Sequence, residues 1–369
     1  MSPPNQKSNQ KLKASQDFTN SDFKKATLAL GDWFERTSRV LPWREDPSPY
    51  RVWISEIMLQ QTQVVTVVPY FERFLKRFPR VESLAAATED DVLLNWAGLG
   101  YYSRARNIHE AAKRIVAQGG FPESREQWIE LPGVGPYTAG AISSIAFDQA
   151  EPILDGNVER VVSRVRTLDR RGGDAAYKAK LWALSKIAVE NAQNWGVRPR
   201  VFNQALMELG AVVCTPKSPK CGVCPVAAFC RARATDQVDS FPPAKAKKAW
   251  LEVQEQLVAL FDSRGEKVLM RKRARGEWRA GLWDFPEAKD LVVKKWIKQG
   301  ELLGDIESKH VVTRHKITRT TKVITLESLP KGIPEGDWQW VSRRDPHVAL
   351  GSAPQKVLKL LGERYWSET

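Results

Sequence analysis

Cysteine is scarce in this chain of 369 residues, and the few thiols present are confined to one short stretch. Only four cysteines occur, the first at Cys214 and the last at Cys230. Four clustered cysteines in a reducing compartment indicate a metal centre rather than a set of disulfides.

Long apolar runs are also missing. No apolar stretch approaches the roughly 20 residues of a membrane-spanning helix. The opening segment MSPPNQKSNQKLKASQ has no apolar core and no Arg-rich amphipathic pattern, so it does not match a secretory signal or a transit peptide. We therefore expect residues 1–17 to form a disordered basic tail. We also expect a cytoplasmic, nucleoid-associated protein without a membrane partner.

Acidic side chains are outnumbered by basic ones. The chain has 57 Lys and Arg against 43 Asp and Glu, a formal net charge of +14, and a pI of about 9.6. A soluble protein this basic usually binds a polyanion, most often a phosphate backbone, although the charge could also serve solubility alone. With 42% hydrophobic residues, the chain can build the cores of two globular domains.

Hydrophobic periodicity divides the chain into a helical part and a mixed part. From Phe18 to about Ala232 apolar residues recur at helical spacing, starting after a candidate helix cap at Ser21. The Pro- and Lys-rich DSFPPAKAKKAW is typical of an exposed linker. Beyond it, alternating apolar and polar residues predict strands, and a final helix follows. We predict a mainly α domain at 18–232, a linker at 233–247 and an α+β domain at 248–369.

The spacing of the cysteines indicates which metal centre they hold. Six residues separate Cys214 from Cys221, two separate Cys221 from Cys224, and five separate Cys224 from Cys230. One CxxC pair flanked by single cysteines suits a [4Fe–4S] cluster, whereas structural zinc more often uses two CxxC pairs. Zinc remains the alternative.

The segment LPGVGPYTAGA carries a helix–hairpin–helix pattern. Gly133 and Gly135 allow left-handed backbone and close approach. Their N–H groups, with the start of the following helix, can hold a phosphate without reading the base sequence. The alternative is a plain turn between helices.

Two carboxylates stand out as candidates for chemistry. On a helix, Glu56, Gln60 and Gln63 share a face at i, i+4 and i+7, with apolar residues around them. Burial raises the pKa of a carboxyl group, which suits a general acid, although an ordinary surface Glu is the alternative. Asp155 lies near a helix start in EPILDGNV, where it could be only an N-cap.

These motifs together resemble the helix–hairpin–helix DNA glycosylases that carry an iron–sulfur loop, and most closely the MutY adenine DNA glycosylase family. The resemblance covers about residues 20–232 strongly and the rest moderately. It implies a helical barrel subdomain, a [4Fe–4S] subdomain and a Nudix-like C-terminal domain. Its signposts are LPWREDPSPYRVWISEIMLQQTQV, WAGLGYYSRARNIHEAA, LPGVGPYTAGAI, LDGNV and the four-cysteine loop.

The resemblance implies roles for individual residues. Glu56 protonates adenine, and Asp155 stabilises the cationic sugar that develops as the base leaves. Tyr137 and Asn157 support these two carboxylates. Arg44 and Gln204 line the adenine pocket. The implied DNA contacts, of which Gln61 and Tyr101 wedge into the duplex, are Gln60, Gln61, Tyr101, Gly133, Gly135, Thr313 and His315.

Tyr137 separates two related activities. Endonuclease III-like enzymes have Lys at this hairpin position, and a Lys amine can attack the sugar, form a Schiff base and cleave the strand. Tyrosine cannot do so. The resemblance therefore implies base removal by water, with weak or no strand scission.

The C-terminal region resembles the start of a Nudix fold in RKRARGEWRAGLWDFPEAK. The following EAKDLVVKKWIKQGELL lacks the Glu-rich array with which Nudix hydrolases hold Mg²⁺, so we expect lesion recognition rather than hydrolysis. The family often places a Phe-Ser-His loop where this chain has HVVTRHKI. Thr313 then replaces the Ser, and Arg314 or His315 replaces the His. Alternatively, Thr313 and His315 are ordinary strand residues.

The sequence thus predicts a monomeric, monofunctional glycosylase acting on double-stranded DNA that contains adenine opposite 8-oxoguanine or guanine. Two alternatives remain. One is a glycosylase-lyase for oxidised pyrimidines. The other is a non-catalytic DNA-binding module that uses its cluster for redox sensing and does not require Glu56 or Asp155.

Overall fold

The computed structural model describes residues 18–244, 249–330, 333–334 and 336–366. The predicted tail at 1–17 and the end of the predicted linker lie outside the described residues. The chain divides into two compact units. The first comprises Met1–Phe71 and Ala111–Lys245, and the second comprises Glu72–Glu110 and Ala246–Thr369.

The helical part of the described chain contains short helices joined by brief loops. In chain order they are α1 (Asn20–Thr37), α2 (Pro42–Glu45), α3 (Pro49–Leu59), α4 (Val64–Arg77), α5 (Val81–Ala85), α6 (Glu89–Trp96), α7 (Ser103–Ala117), α8 (Arg125–Ile129), α9 (Pro136–Phe147), α10 (Gly156–Arg166), α11 (Gly173–Asn194), α12 (Pro199–Val212) and α13 (Arg231–Ala234). Among the described residues, no helix is both long and apolar enough to span a membrane.

Helix boundaries differ from the sequence prediction at two places. Helix α1 is capped by Thr19 rather than Ser21, because Thr19 Oγ1 accepts from Asp22 N–H while the Asp22 carboxylate accepts from Thr19 N–H. This reciprocal pair satisfies two amides at the helix start. Helix α3 ends at Leu59, with Gln60 as its C-cap. The sequence pattern predicted that Gln60 and Gln63 share a helical face with Glu56. This prediction is wrong, because the helix ends before them.

Two buried helices form much of the core of the first unit. Helix α3 buries Trp53, and its ring lies 6.3 Å from that of Trp128. Helix α9 is buried along most of its length. At Gly140 an added Cβ would lie 2.1 Å from the carbonyl oxygen of Pro152, so only glycine allows this close approach. The core therefore fixes α3 and α9 side by side.

The start of the predicted linker is attached to the first unit. Arg164 Nε donates to the carbonyls of Val238 (3.1 Å) and Phe241 (3.0 Å), and Arg170 Nε donates to the carbonyl of Pro243 (2.9 Å). These hydrogen bonds make residues 238–243 part of the packed unit rather than an exposed linker.

The second unit is built on a six-stranded sheet. Its order is β3-β2-β1-β5-β4, with β6 paired to β2. Strands β1 and β5 are parallel, and the other pairs are antiparallel. The strands and helices are β1 (Leu251–Asp262), β2 (Lys267–Lys272), β3 (Trp283–Asp284), α14 (Leu291–Ile297), β4 (Glu301–Val312), β5 (His315–Leu326), β6 (Trp338–Ser342) and α15 (Ser352–Tyr365).

Two apolar clusters pack on this sheet. One joins β1 and β5 to Val357 and Leu361 of α15, and the other joins them to Val293 and Trp296 of α14. This combination confirms the α+β class predicted for the C-terminal region. The segment Glu72–Glu110 also belongs to this unit, and the Tyr102 hydroxyl donates to the carbonyl of Leu350 (3.3 Å).

Candidate active site

A cavity of about 830 Å³ lies in the first unit, between α3, α9, α10 and α12. Its size is that of an ordinary small-molecule site. Its walls bring together residues that the sequence places far apart. The predicted site residues that line it are Arg44, Glu56, Gln60, Gln61, Tyr137, Asp155, Asn157 and Gln204.

Glu56 lies on α3 and is only 5% exposed. Burial among apolar neighbours raises the pKa of its carboxyl group to about 7, and the nearby Asp155 adds to the rise. The Tyr137 hydroxyl opposes it by donating to Glu56 Oε2 at 2.8 Å. Burial also raises the pKa of Tyr137 well above its usual value, so the phenol stays protonated. Glu56 can therefore carry a proton at neutral pH.

Asp155 is the N-cap of α10 and also lines the cavity. Its Oδ1 accepts from Val158 N–H at 2.7 Å, and its Oδ2 accepts from Asn157 Nδ2 at 2.9 Å. Burial raises the pKa of Asp155, while these hydrogen bonds favour its ionised form. The N-cap interpretation is thus correct, and it does not remove the carboxylate from the cavity.

Arg160 links the Asp155 side of the cavity to the cysteine loop. Its Nη2 donates to Asn157 Oδ1 (2.8 Å) and to the carbonyl of Gly210 (2.7 Å), and its Nε donates to the carbonyl of Cys214 (2.7 Å). A Cβ at Gly210 would lie 2.5 Å from that of Asn157, so glycine is needed for this contact. The orientation of Asn157 therefore depends on the path of the loop.

Glu208 is a buried cavity residue that the sequence analysis missed. Its carboxylate accepts from Arg39 Nε at 2.7 Å and from Arg44 Nη2 at 2.8 Å. Arg44 Nε donates in turn to Gln204 Oε1 at 3.2 Å. Gln204 and Glu208 are four residues apart on α12, a spacing that could have placed Glu208 beside Gln204. The carboxylate thus orients Arg44 in the pocket wall.

We expect Glu208→Gln to lower the free energy of unfolding by about 2 kcal/mol, because it weakens charge-assisted hydrogen bonds at a buried site. Burial pushes the pKa of Glu208 upward, but the bonds from Arg39 and Arg44 outweigh it and lower the pKa to about 2. The ionised Glu208 carboxylate, bound to Arg39 and Arg44, therefore stabilises the fold above pH 4.5. This contribution is lost as the pH falls towards 2. Thermal unfolding of the variant and of the exposed control Glu45→Gln, from pH 7 down to pH 3, measures both effects. A Glu208→Gln midpoint equal to that of the control at pH 7 would refute the prediction.

The hairpin between α8 and α9 has the predicted position, with one difference. Gly133 has a φ of 79°, which is left-handed, whereas Gly135 has a φ of −95° and is the N-cap of α9. Gly135 is therefore not left-handed, contrary to the sequence analysis. A Cβ added at Gly135 would have no atom within 4 Å apart from those of its chain neighbours and of the nearby helix backbone, so the space in front of it is open. A phosphate could approach the start of α9 there.

Three predicted DNA-contacting residues share an uncommon backbone conformation. Gln61, Tyr101 and Thr313 have φ values of 57°, 49° and 53°. Left-handed backbone at residues other than glycine is uncommon and tends to occur at functional sites. Gln61 lies in the first unit, and the other two lie in the second. Thr313 forms the turn between β4 and β5, and His315 begins β5, so only His315 is a strand residue.

The four cysteines face one small cavity with otherwise mostly apolar walls. All four are half-buried. Burial raises the pKa of the Cys224 thiol to about 11, and the other three cysteines add to the rise because they lie close to it. Arg164 Nη1 lies 3.4 Å from Cys214 Sγ. A cluster bound by four thiolates fits this donor set, and Arg164 would balance part of its negative charge.

Comparisons with known proteins agree with this geometry. Residues 54–186 match the HhH-GPD superfamily of base excision DNA repair proteins, and residues 214–230 match the iron–sulfur binding domain of endonuclease III. A solved thermostable thymine-DNA glycosylase has a TM-score of 0.51 and 27% identity, covering 59% of this chain and 100% of its own. The fold and site thus define a DNA glycosylase of base excision repair that binds an iron–sulfur cluster. The match to an iron–sulfur binding domain excludes zinc as the metal of the cysteine loop.

Relatives that the chain covers over more than two thirds of their length show the family. Human adenine DNA glycosylase is 46% identical, covering 90% of this chain and 73% of its own length. The Buchnera aphidicola (subsp. Schizaphis graminum) adenine DNA glycosylase is 38% identical over 76% of this chain and 79% of its own. The chain belongs to the adenine DNA glycosylase family, as the resemblance predicted.

Proposed function

We propose that this protein removes adenine paired with 8-oxoguanine or guanine from double-stranded DNA by hydrolysis, without cutting the strand. The observation that carries the proposal is the meeting of two unlike carboxylates in one cavity. Glu56 can be protonated at neutral pH, whereas Asp155 has hydrogen bonds that favour its anion. One proton donor and one fixed anion are what cleavage of a glycosidic bond requires.

In the proposed reaction, the adenine leaves the helix and enters the cavity, since the bond to be cut is inaccessible within the stack. Arg44 and Gln204 line the wall beside the base. Glu56 donates its proton to a ring nitrogen of adenine, so the base departs as a neutral leaving group. The bond between base and sugar then breaks, and the sugar becomes positively charged. Asp155 stabilises this cation until a water molecule adds to it and gives its proton to the Glu56 carboxylate, which restores the acid.

Tyr137 explains why the proposed product is an intact strand with an abasic site. A phenol with a strongly raised pKa remains neutral, and its hydroxyl donates a hydrogen bond to Glu56 rather than attacking the sugar. The Schiff base that leads to strand cleavage needs an amine nucleophile at the site. No Lys is among the residues that line the described cavity.

The iron–sulfur cluster has a structural role in this proposal. Cys214, Cys221, Cys224 and Cys230 would hold it, as [4Fe–4S], and its iron–thiolate bonds would fix the path of the loop. Because Arg160 donates to the carbonyl of Cys214 and to Asn157, a fixed loop keeps Asn157 against Asp155. These residues therefore position the anion that faces the sugar.

DNA binding in the proposal divides between the two units. The hairpin at Gly133 and Gly135 holds a phosphate, and Gln60 and Gln61 line the cavity, with Gln60 Nε2 3.2 Å from Thr138 Oγ1. Tyr101, which is partly exposed, wedges into the duplex with Gln61. Thr313 and His315 contact the oxidised guanine.

The test is incubation with a duplex that holds adenine opposite 8-oxoguanine, followed by heating in alkali to cut abasic sites. We expect strand cleavage only after the alkali step, and none with an adenine–thymine duplex as control. An uncut strand at high enzyme concentration would refute the proposed substrate. Efficient borohydride trapping of an enzyme–DNA adduct would instead favour a glycosylase-lyase.

A further inference from the structure

Two tryptophans of the second unit are exposed, whereas other tryptophans of the same unit are buried. Trp250 is 53% exposed and Trp278 is 41% exposed, whereas Trp283 and Trp296 are buried. Tryptophan is enriched among the residues that carry binding energy at interfaces, so two exposed rings near one turn are candidates for a binding surface. Both lie near the turn that joins β4 and β5.

The two rings flank this turn from opposite sides of the sheet. The Trp278 ring centroid lies 5.3 Å from that of His315, and Lys316 Nζ lies 5.5 Å from the centroid of the Trp250 ring. His315 and Lys316 are the first two residues of β5, and successive side chains of a strand point to opposite faces. The hairpin tip therefore has one tryptophan on each face.

The Trp278 ring and the backbone next to Trp250 are held in place. The Arg279 guanidinium lies 5.1 Å from the Trp278 ring centroid and also pairs with Glu255. Glu255 in turn accepts from the fully buried Arg319 at 2.6 Å. Next to Trp250, Leu251 N–H donates to the carbonyl of Arg314 at 2.8 Å, so the start of β1 is fixed to the hairpin tip.

The charge around the rings favours a polyanion over a protein partner. At the hairpin tip Arg314 and Lys316 are exposed, and residues 312–316, VTRHK, include no carboxylate. Further along the hairpin the cations are paired, Lys309 with Glu307 and the buried Arg319 with Glu255. Lys316 also lies 3.6 Å from Glu252, but it remains half-exposed. Aromatic faces combined with neighbouring cations are the usual way in which proteins bind unstacked nucleotides.

We propose that Trp250 and Trp278 stack on the bases or sugars of nucleotides next to the oxidised guanine, while Lys316 and Arg314 contact their phosphates. This inference rests on the proposed function and adds two contact residues to it. Extrusion of adenine disturbs base stacking nearby, which gives the indole rings exposed faces to cover.

The test measures the dissociation constant of the full-length, cluster-loaded protein for an adenine–8-oxoguanine duplex. Glu56→Gln is the common background, so that binding is measured without turnover. Trp278→Ala and Trp250→Ala should each weaken binding about tenfold, as expected for the loss of one stack. Trp278→Phe should retain most of the affinity. Leu291→Ala, at a residue of the same unit that is 82% exposed, is the control and should leave the constant unchanged.

Dissociation constants of both alanine variants within twofold of the parent would overturn the inference. Cross-linking tests it without any substitution: 5-iodouracil beside the 8-oxoguanine should attach to a peptide that contains Trp250 or Trp278, and attachment only elsewhere would overturn it. The proposed function fails separately, if the unsubstituted protein releases no adenine.

Discussion

Replacing Glu56 by Gln is expected to lower the single-turnover rate of adenine excision on the order of 10³-fold, within the usual range for loss of a general acid. Glutamine has nearly the same size and can still accept from the Tyr137 hydroxyl, which lies 2.8 Å from Glu56 Oε2. It has no acidic proton to donate, so adenine would have to leave as an anion. The measurement is the excision rate with protein in excess over an adenine–8-oxoguanine duplex.

The dependence of the excision rate on pH tests the role of Glu56 more directly than the rate at one pH. Because the pKa of Glu56 is raised to about 7, its carboxyl group is protonated below that pH and loses its proton above it. The rate should therefore level off below pH 7 and fall about tenfold per pH unit above it. Glu56→Gln should remove this alkaline limb.

Glu45→Gln, at an exposed residue, is the control and should keep both the rate and the limb. An unchanged rate in Glu56→Gln would place the catalytic acid elsewhere.

The motifs around the cavity could be predicted because each is local. The segment WISEIMLQQ predicts a buried helix from its apolar residues, and LPGVGPYTAG predicts a hairpin before a helix. The end of α3 could not be predicted in the same way. The chain turns at Gln61, whose φ is 57°, and glutamine gives no signal for left-handed backbone.

Contacts between distant parts of the chain account for what the sequence missed. Glu208 pairs with Arg39, 169 residues away, and Arg160 reaches Cys214, 54 residues away. Neither pairing leaves a periodic signal, because it depends on how α12 and α10 pack. For the same reason the segment Glu72–Glu110 was predicted as part of the helical domain, although it belongs to the second unit.

Asp155 combines two functions that a single substitution can separate. As an N-cap it accepts from Val158 N–H, a role that Asn fills about as well. As an anion it raises the pKa of Glu56 and, in the proposed reaction, stabilises the positive sugar. Asn keeps the first function and removes the second, whereas Ala removes both.

Asp155→Asn should keep the N-cap bond but lose the bond from Asn157 Nδ2, so we expect it to lose less stability than Asp155→Ala. It should lower the single-turnover rate about 10²- to 10³-fold, since a fixed charge acts where the transition state becomes positive. Asp155→Ala should lose a similar rate and also about 1 kcal/mol of stability. Without the Asp155 anion the pKa of Glu56 falls, so the residual activity of Asp155→Asn should decline at lower pH than in the unsubstituted protein. A normal rate in Asp155→Asn would show that Asp155 acts only as a helix cap. The same conclusion would follow if the rates of the two variants fell only in proportion to their losses of stability.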